Sequence, residues 1–226
     1  MAAEGSATDV SSAASIHPGV GALRVAVGVL AIMILGYAYG LSIAAGDANP
    51  FDYFGYFTNQ TTLLMSVLLM TAGGLSLTRR HAPVALGTLR GVATAYLVVV
   101  AVIYNTLVPG TGAAPPWVSM MLHVVLPVIA LLDWALVNDR RPLAWRRLWI
   151  VLPYPLVWLA VVLIRGATDG WVPYGFLMPE NGVRSLVLHT VGLSCAVLMA
   201  GALVWAMSRL PIDQLKVIVL RREKTR

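Results

Sequence analysis

The chain holds a single cysteine, Cys195, and it lies inside an apolar run. That excludes a disulfide framework and a cysteine-based metal site. Charge is equally scarce. Asp, Glu, Lys and Arg make up 12% of the 226 residues, about half the roughly 25% of a soluble domain. No lysine falls in a long apolar run, which argues against a retinal protein, where a lysine carries the chromophore. Residues 1–18 are rich in Ser and Ala and lack a basic leader, so they read as a disordered lead rather than a cleavable signal peptide. No internal repeat is evident.

What is present is apolar. Hydrophobic residues make up 58% of the chain and the mean hydropathy is +0.78. The net charge of +6 resides in short links and the tail, a pattern of membrane topology rather than nucleic-acid binding. Arg outnumbers Lys, and Ala, Val and Gly abound, as in a GC-rich bacterial genome, so a bacterial plasma membrane is the expected location. Six apolar runs, near 20–45, 54–78, 86–108, 116–137, 146–165 and 183–209, are each long enough for the ~20 helical residues that cross a bilayer. The expected fold is therefore all-α, a polytopic bundle of six transmembrane helices. It comprises a lead at 1–18, the membrane domain at 19–210 and a basic tail at 211–226.

Lys and Arg set the expected orientation. The link after helix 2 carries Arg79, Arg80 and Arg90, the link after helix 4 carries Arg140, Arg141, Arg146 and Arg147, and the tail is basic. The alternate links hold only Arg165 and Arg184, beside Asp47, Asp52, Asp169 and Glu180. Both termini are expected in the cytoplasm.

On that topology the polar residues gather in one outer layer. Tyr37, Tyr39 and Ser42 end helix 1, Thr58 opens helix 2, Asn105 closes helix 3, and His123 and His189 lie about 10 Å deep on helices 4 and 6. Polar groups at membrane depth face a bundle interior or a wet cavity, so an outward cavity is expected. In "YFTNQTTLL", Thr58, Thr61 and Thr62 share one stripe at 100° per residue, Asn59 flanks it and Gln60 points away. Each threonine has a bland alternative, a bond to its own i−4 carbonyl or to a neighbouring helix.

Helix 4 reads "MLHVVLPVIALLDW". Pro127 has no N–H, so the His123 carbonyl loses its helical partner and the helix should kink beside the histidine. His189 is expected to bond within the bundle; with no acidic or thiol ligand at that depth, neither a metal nor another cofactor is expected. Asp133 is expected to pair with Arg90. In the loop "RGATDGWVPYGFLMPENG", Trp171 and Tyr174 form either an interfacial aromatic belt or a lid, and Arg165 either snorkels or holds a substrate carboxylate.

The pieces "YFTNQTTLL", "LRGVATAYLVVVAVIYN", "LHVVLPVIALLDW" and "RGATDGWVPYGFL" followed by "NG" span residues 53–182. Together they resemble the androgen-induced family of six-helix membrane hydrolases, which includes the androgen-dependent TFPI-regulating protein, and most of all its bacterial relatives. The resemblance implies a threonine–histidine catalytic pair, on Thr58 and His123, and hydrolysis of fatty acid esters of hydroxy fatty acids. The last outer loop departs from the relatives' pattern, with Gly175 where a proline is expected. The expected function is thus an intramembrane lipid-ester hydrolase. Asn59, Thr62, Asn105, Arg165, Trp171, Tyr174 and His189 are its substrate-binding or oxyanion candidates, and its partners are the bilayer and a lipid substrate. The alternative is a protein that binds or transports a lipid or solute in the same cavity without chemistry.

Overall fold

A computed structural model describes residues 18–110 and 114–210. The disordered lead expected at 1–18 lies outside the described residues up to residue 17, Pro18 being the first residue of α1, and the basic tail expected at 211–226 lies wholly outside them. Within them every regular element is helical. The chain runs α1 (Pro18–Ala44), the short α2 (Pro50–Tyr53), α3 (Phe57–Leu77), α4 (Val84–Leu107), α5 (Pro116–Met120), α6 (Leu126–Leu136), α7 (Pro153–Thr168) and α8 (Gly182–Met207). A π turn, Met121–Val125, joins α5 to α6, and a 3-10 helix, Trp145–Val151, leads into α7. Six helical stretches are long and apolar enough to span a membrane. The protein is a multi-pass, all-α bundle of membrane type.

Its surface fits that solvent. Leu23, Met33, Val157, Leu188 and Met199 are all more than half exposed, an arrangement that water penalises and hydrocarbon does not. With no hydrophobic force between helices in lipid, close backbone approach supplies the packing. α1 and α3 meet this way: a Cβ at Gly73 would stand 2.5 Å from the Gly21 carbonyl oxygen.

Two details differ from a picture of six plain helices. Where Pro127 was expected to kink helix 4, the helix holds a π turn, in which the Leu126 N–H reaches back five residues to the Met121 carbonyl. The fifth span begins as a 3-10 helix, because Pro153 cannot donate to the preceding turn and instead occupies the first position of α7.

One end of the bundle is tied by charge. Arg24 and Arg90, 2% and 3% exposed, alternate with Asp133 and Asp139 in a closed ring. Arg24 meets Asp133 at 2.7 Å and Asp139 at 2.6 Å, and Arg90 meets them at 2.6 and 2.7 Å. The expected Asp133–Arg90 pair is there, but as half of this ring. Burial pulls Asp139 upward, yet the hydrogen bonds and charges of Arg24 and Arg90 outweigh it and hold the carboxyl below its usual range.

Candidate active site

Thr58 and His123 come together at the other end of the bundle. Thr58 is the second residue of α3, and the π turn carries His123. The Thr58 Oγ1 to His123 Nε2 distance is 3.4 Å, at the long end of the hydrogen-bond range.

The proton inventory fixes the direction of that contact. His123 Nδ1 lies 2.9 Å from the Ser119 carbonyl oxygen and 3.2 Å from Ser119 Oγ. A carbonyl only accepts, so Nδ1 carries the hydrogen and, in the neutral ring, Nε2 is left as the acceptor for the Thr58 hydroxyl. The Ser119 hydroxyl donates onward to the Tyr104 hydroxyl. The Tyr104 ring lies flat on the imidazole, 3.5 Å between centroids and 8° between planes. The His123 carbonyl, deprived of a partner by Pro127, faces Asn105 Nδ2 at 3.4 Å. Ser119 and Tyr104 escaped the sequence reading. Ser119 had a legible signal, its i−4 spacing from the histidine; Tyr104 had none beyond its place beside Asn105.

Thr58 also borders a cleft between α3, α4, α7 and α8. Its walls are apolar: Val99, Val100, Ile103, Leu156, Leu159 and Val197 among others. Tyr174 and Phe176, from the loop before α8, cover the Thr58 end. Tyr174 stacks on Phe176 (5.5 Å, 6°) and meets the rings of Tyr56 and Trp158. Its phenol interacts with the Thr58 side chain and with the backbone of Thr58 and Phe57, and burial pushes it up to about 12. The phenol therefore keeps its proton, and its capacity to donate, across physiological pH.

The remaining sequence candidates have other occupations. Asn59 donates to the Tyr53 carbonyl at 2.7 Å, anchoring α2. Thr62, one turn deeper than Thr58, lines a separate small cavity with Val27, Ala31 and Leu97, and its hydroxyl has no protein partner. Thr61 bonds the Phe57 carbonyl at 2.8 Å. The stripe predicted by angle is thus divided by depth, because α1 packs against α3 one turn below Thr58. Gln60 accepts from the Tyr154 hydroxyl and links α3 to α7.

Arg165 is held by Asp52 at 2.6 Å and Asp169 at 2.8 Å, and lies 4.3 Å over the Trp171 ring. The Trp171 N–H and Arg165 hold Asp169 below the usual carboxylate range. These contacts fasten the covering loop rather than line the cleft. His189 bonds its own i−4 carbonyl, Ser185, at 2.9 Å and stacks on Phe176 at 5.3 Å, behind the loop and apart from His123. Among the described residues no His, Cys, Asp and Glu cluster suited to a metal occurs.

No family model, curated protein or solved structure matches this chain.

Proposed function

We propose that this protein is a membrane lipid-ester hydrolase with Thr58 as nucleophile and His123 as general base. The observation that carries the reading is the Thr58 hydroxyl, 3.4 Å from an Nε2 whose lone pair is turned toward it, at the polar end of an apolar cleft. A hydroxyl becomes a competent nucleophile when such a base takes its proton.

In the proposed reaction Thr58 Oγ attacks the ester carbonyl carbon as its proton passes to His123 Nε2. The carbonyl oxygen becomes an oxyanion, for which the Tyr174 phenol, beside Thr58, is the candidate side-chain donor. The tetrahedral intermediate collapses, the C–O bond to the alcohol breaks, and the leaving oxygen takes the proton from His123. Water then attacks the acyl-threonine. His123 takes the water proton and returns it to Thr58 Oγ, and the carboxylic acid departs. The Ser119 carbonyl, on Nδ1–H, orients the ring through both halves and stands where a triad has its carboxylate.

The asymmetry of Lys and Arg favours cytoplasmic termini and an outward-facing site, and the composition favours a bacterial plasma membrane. The resemblance of residues 53–182 to the androgen-induced hydrolase family makes fatty acid esters of hydroxy fatty acids the first substrates to try.

The test is labelling of purified protein with a fluorophosphonate probe, alongside turnover of lipid esters. We expect both in the wild type and neither in Thr58→Ala or His123→Ala of unchanged melting temperature. An apolar cleft also suits a lipid-binding protein without chemistry. Retention of lipid with neither labelling nor turnover selects that reading.

A further inference from the structure

The cleft beneath Thr58 has a floor, and its position sets a length. On α7, Trp158 marks the mouth, because its Nε1 donates to the Gly55 carbonyl at 2.8 Å, just ahead of α3. Leu152 marks the lower end of the lining. On α4 the lining starts at Val108; from Tyr104, whose ring lies on His123 and so marks the level of Thr58, it runs down to Val99. Measured from the level of Thr58, these runs of seven and six residues correspond to about 8–9 Å of helix.

Below that depth the helices close. Val197 and Val151 are 2% and 0% exposed. One turn beyond Val197, a Cβ at Gly201 would stand 3.0 Å from Leu148 Cδ1 and 3.1 Å from Val151 Cγ1. The Tyr96 hydroxyl also bonds the Val151 carbonyl at 3.0 Å, sealing the same level. Among the described residues no charged side chain lines the cleft, and the Ser194 hydroxyl donates to its own helix, at the Thr190 carbonyl. One lip is Leu156, 44% exposed, which leaves a sideways entrance from the apolar surface.

We infer that the cleft is a closed-end slot for a single medium-chain acyl group, with its carbonyl at Thr58 and its methyl end against Leu152 and Val197. An extended chain covers about 1.2 Å per bond, so the slot accommodates an acyl group of about eight carbons. Placement of the carbonyl rests on the hydrolase reading; the slot and its length do not. Each methylene beyond the floor must be expelled or must strain a packed core, a discrimination of roughly tenfold or more.

The experiment measures kcat/KM of the full-length protein on p-nitrophenyl acetate, octanoate and palmitate. In parallel, diazirine-bearing octanoate and palmitate are crosslinked to Thr58→Ala, and the labelled residues are mapped. Octanoate is expected to exceed palmitate by roughly tenfold in both assays, with crosslinks on α4, α7 and α8. Ser194→Phe, and independently Leu156→Trp at the exposed lip, should lower octanoate labelling, and octanoate turnover relative to acetate turnover, each by roughly tenfold. Equal use of octanoate and palmitate, or indifference to both substitutions, overturns the slot while leaving the hydrolase standing. Octanoate-selective crosslinking in a protein that cleaves no ester upholds the slot and defeats the hydrolase.

Discussion

Thr58 Oγ1 and His123 Nε2 stand 3.4 Å apart although 65 positions separate them in the chain. The contact is directional, because the Ser119 carbonyl takes the Nδ1 hydrogen and leaves Nε2 to accept. If this pair performs catalysis, Thr58→Ala should abolish turnover. His123→Gln should lower kcat by roughly 10²–10⁴-fold, with little change in melting temperature. Thr58→Ser should keep a measurable fraction. Steady-state kinetics on a lipid ester checks all three.

His123 lies in the π turn that immediately precedes Leu126 and Pro127. Pro127→Ala restores an N–H that can bond the His123 carbonyl and allows the π turn to relax toward α-helix. The histidine would then rotate away from Thr58. A loss of roughly 10²-fold in kcat is expected, with stability equal to or above that of the parent. Unchanged kcat in a well-folded Pro127→Ala protein would show that the π turn has no part in positioning the base.

Tyr174 separates a lid from an oxyanion donor. Tyr174→Phe keeps the ring that stacks on Phe176 and removes only the hydroxyl. As a donor to the oxyanion the hydroxyl contributes roughly 10²–10³-fold to kcat with KM nearly unchanged. As mere cover, its removal leaves kcat intact.

The four-residue ring at the opposite end should govern stability rather than turnover. Arg24→Ala or Asp133→Ala strands a buried partner, at a cost of about 3–5 kcal/mol, read as a lowered thermal midpoint in detergent. The pH response has a definite sign. Asp139 is depressed in the folded state, so its contribution is fully present above the unfolded value of 3.8. It is lost as pH falls from there through the lower folded value. Asp139→Asn should lower stability at neutral pH and flatten the acid limb below 3.8.

Much of the fold was legible because a bilayer constrains sequence severely. Each span needs about 20 apolar residues, and the six predicted runs coincide with the six helical stretches to within a few residues. The contact of Thr58 with His123 was expected too, on two signals that survive in one dimension: a polar run opening an apolar helix, and a proline four residues beyond a histidine. Asp133 and Arg90 were paired correctly, yet Arg24 and Asp139 were missed. Ion pairs reach across the bundle without regard to spacing, and nothing in the chain says that α1 brings Arg24 to that ring.

The amino-acid sequence by itself determined that this chain folds as six apolar helices and where polar groups lie along each, since hydrophobic length and proline chemistry are local properties. Beyond the Thr58–His123 and Arg90–Asp133 contacts, the tertiary structure decided which polar groups meet. Helical angle placed Thr58, Thr61 and Thr62 in one stripe, but packing depth gave Thr58 the cleft, Thr61 its own helix and Thr62 a separate cavity. The same packing committed Asn59 to Tyr53 and Arg165 to Asp52 and Asp169. It also brought Ser119, Tyr104 and Tyr174 to the pair. Side-chain partners depend on how helices dock, and that is settled by the fit of surfaces from distant parts of the chain.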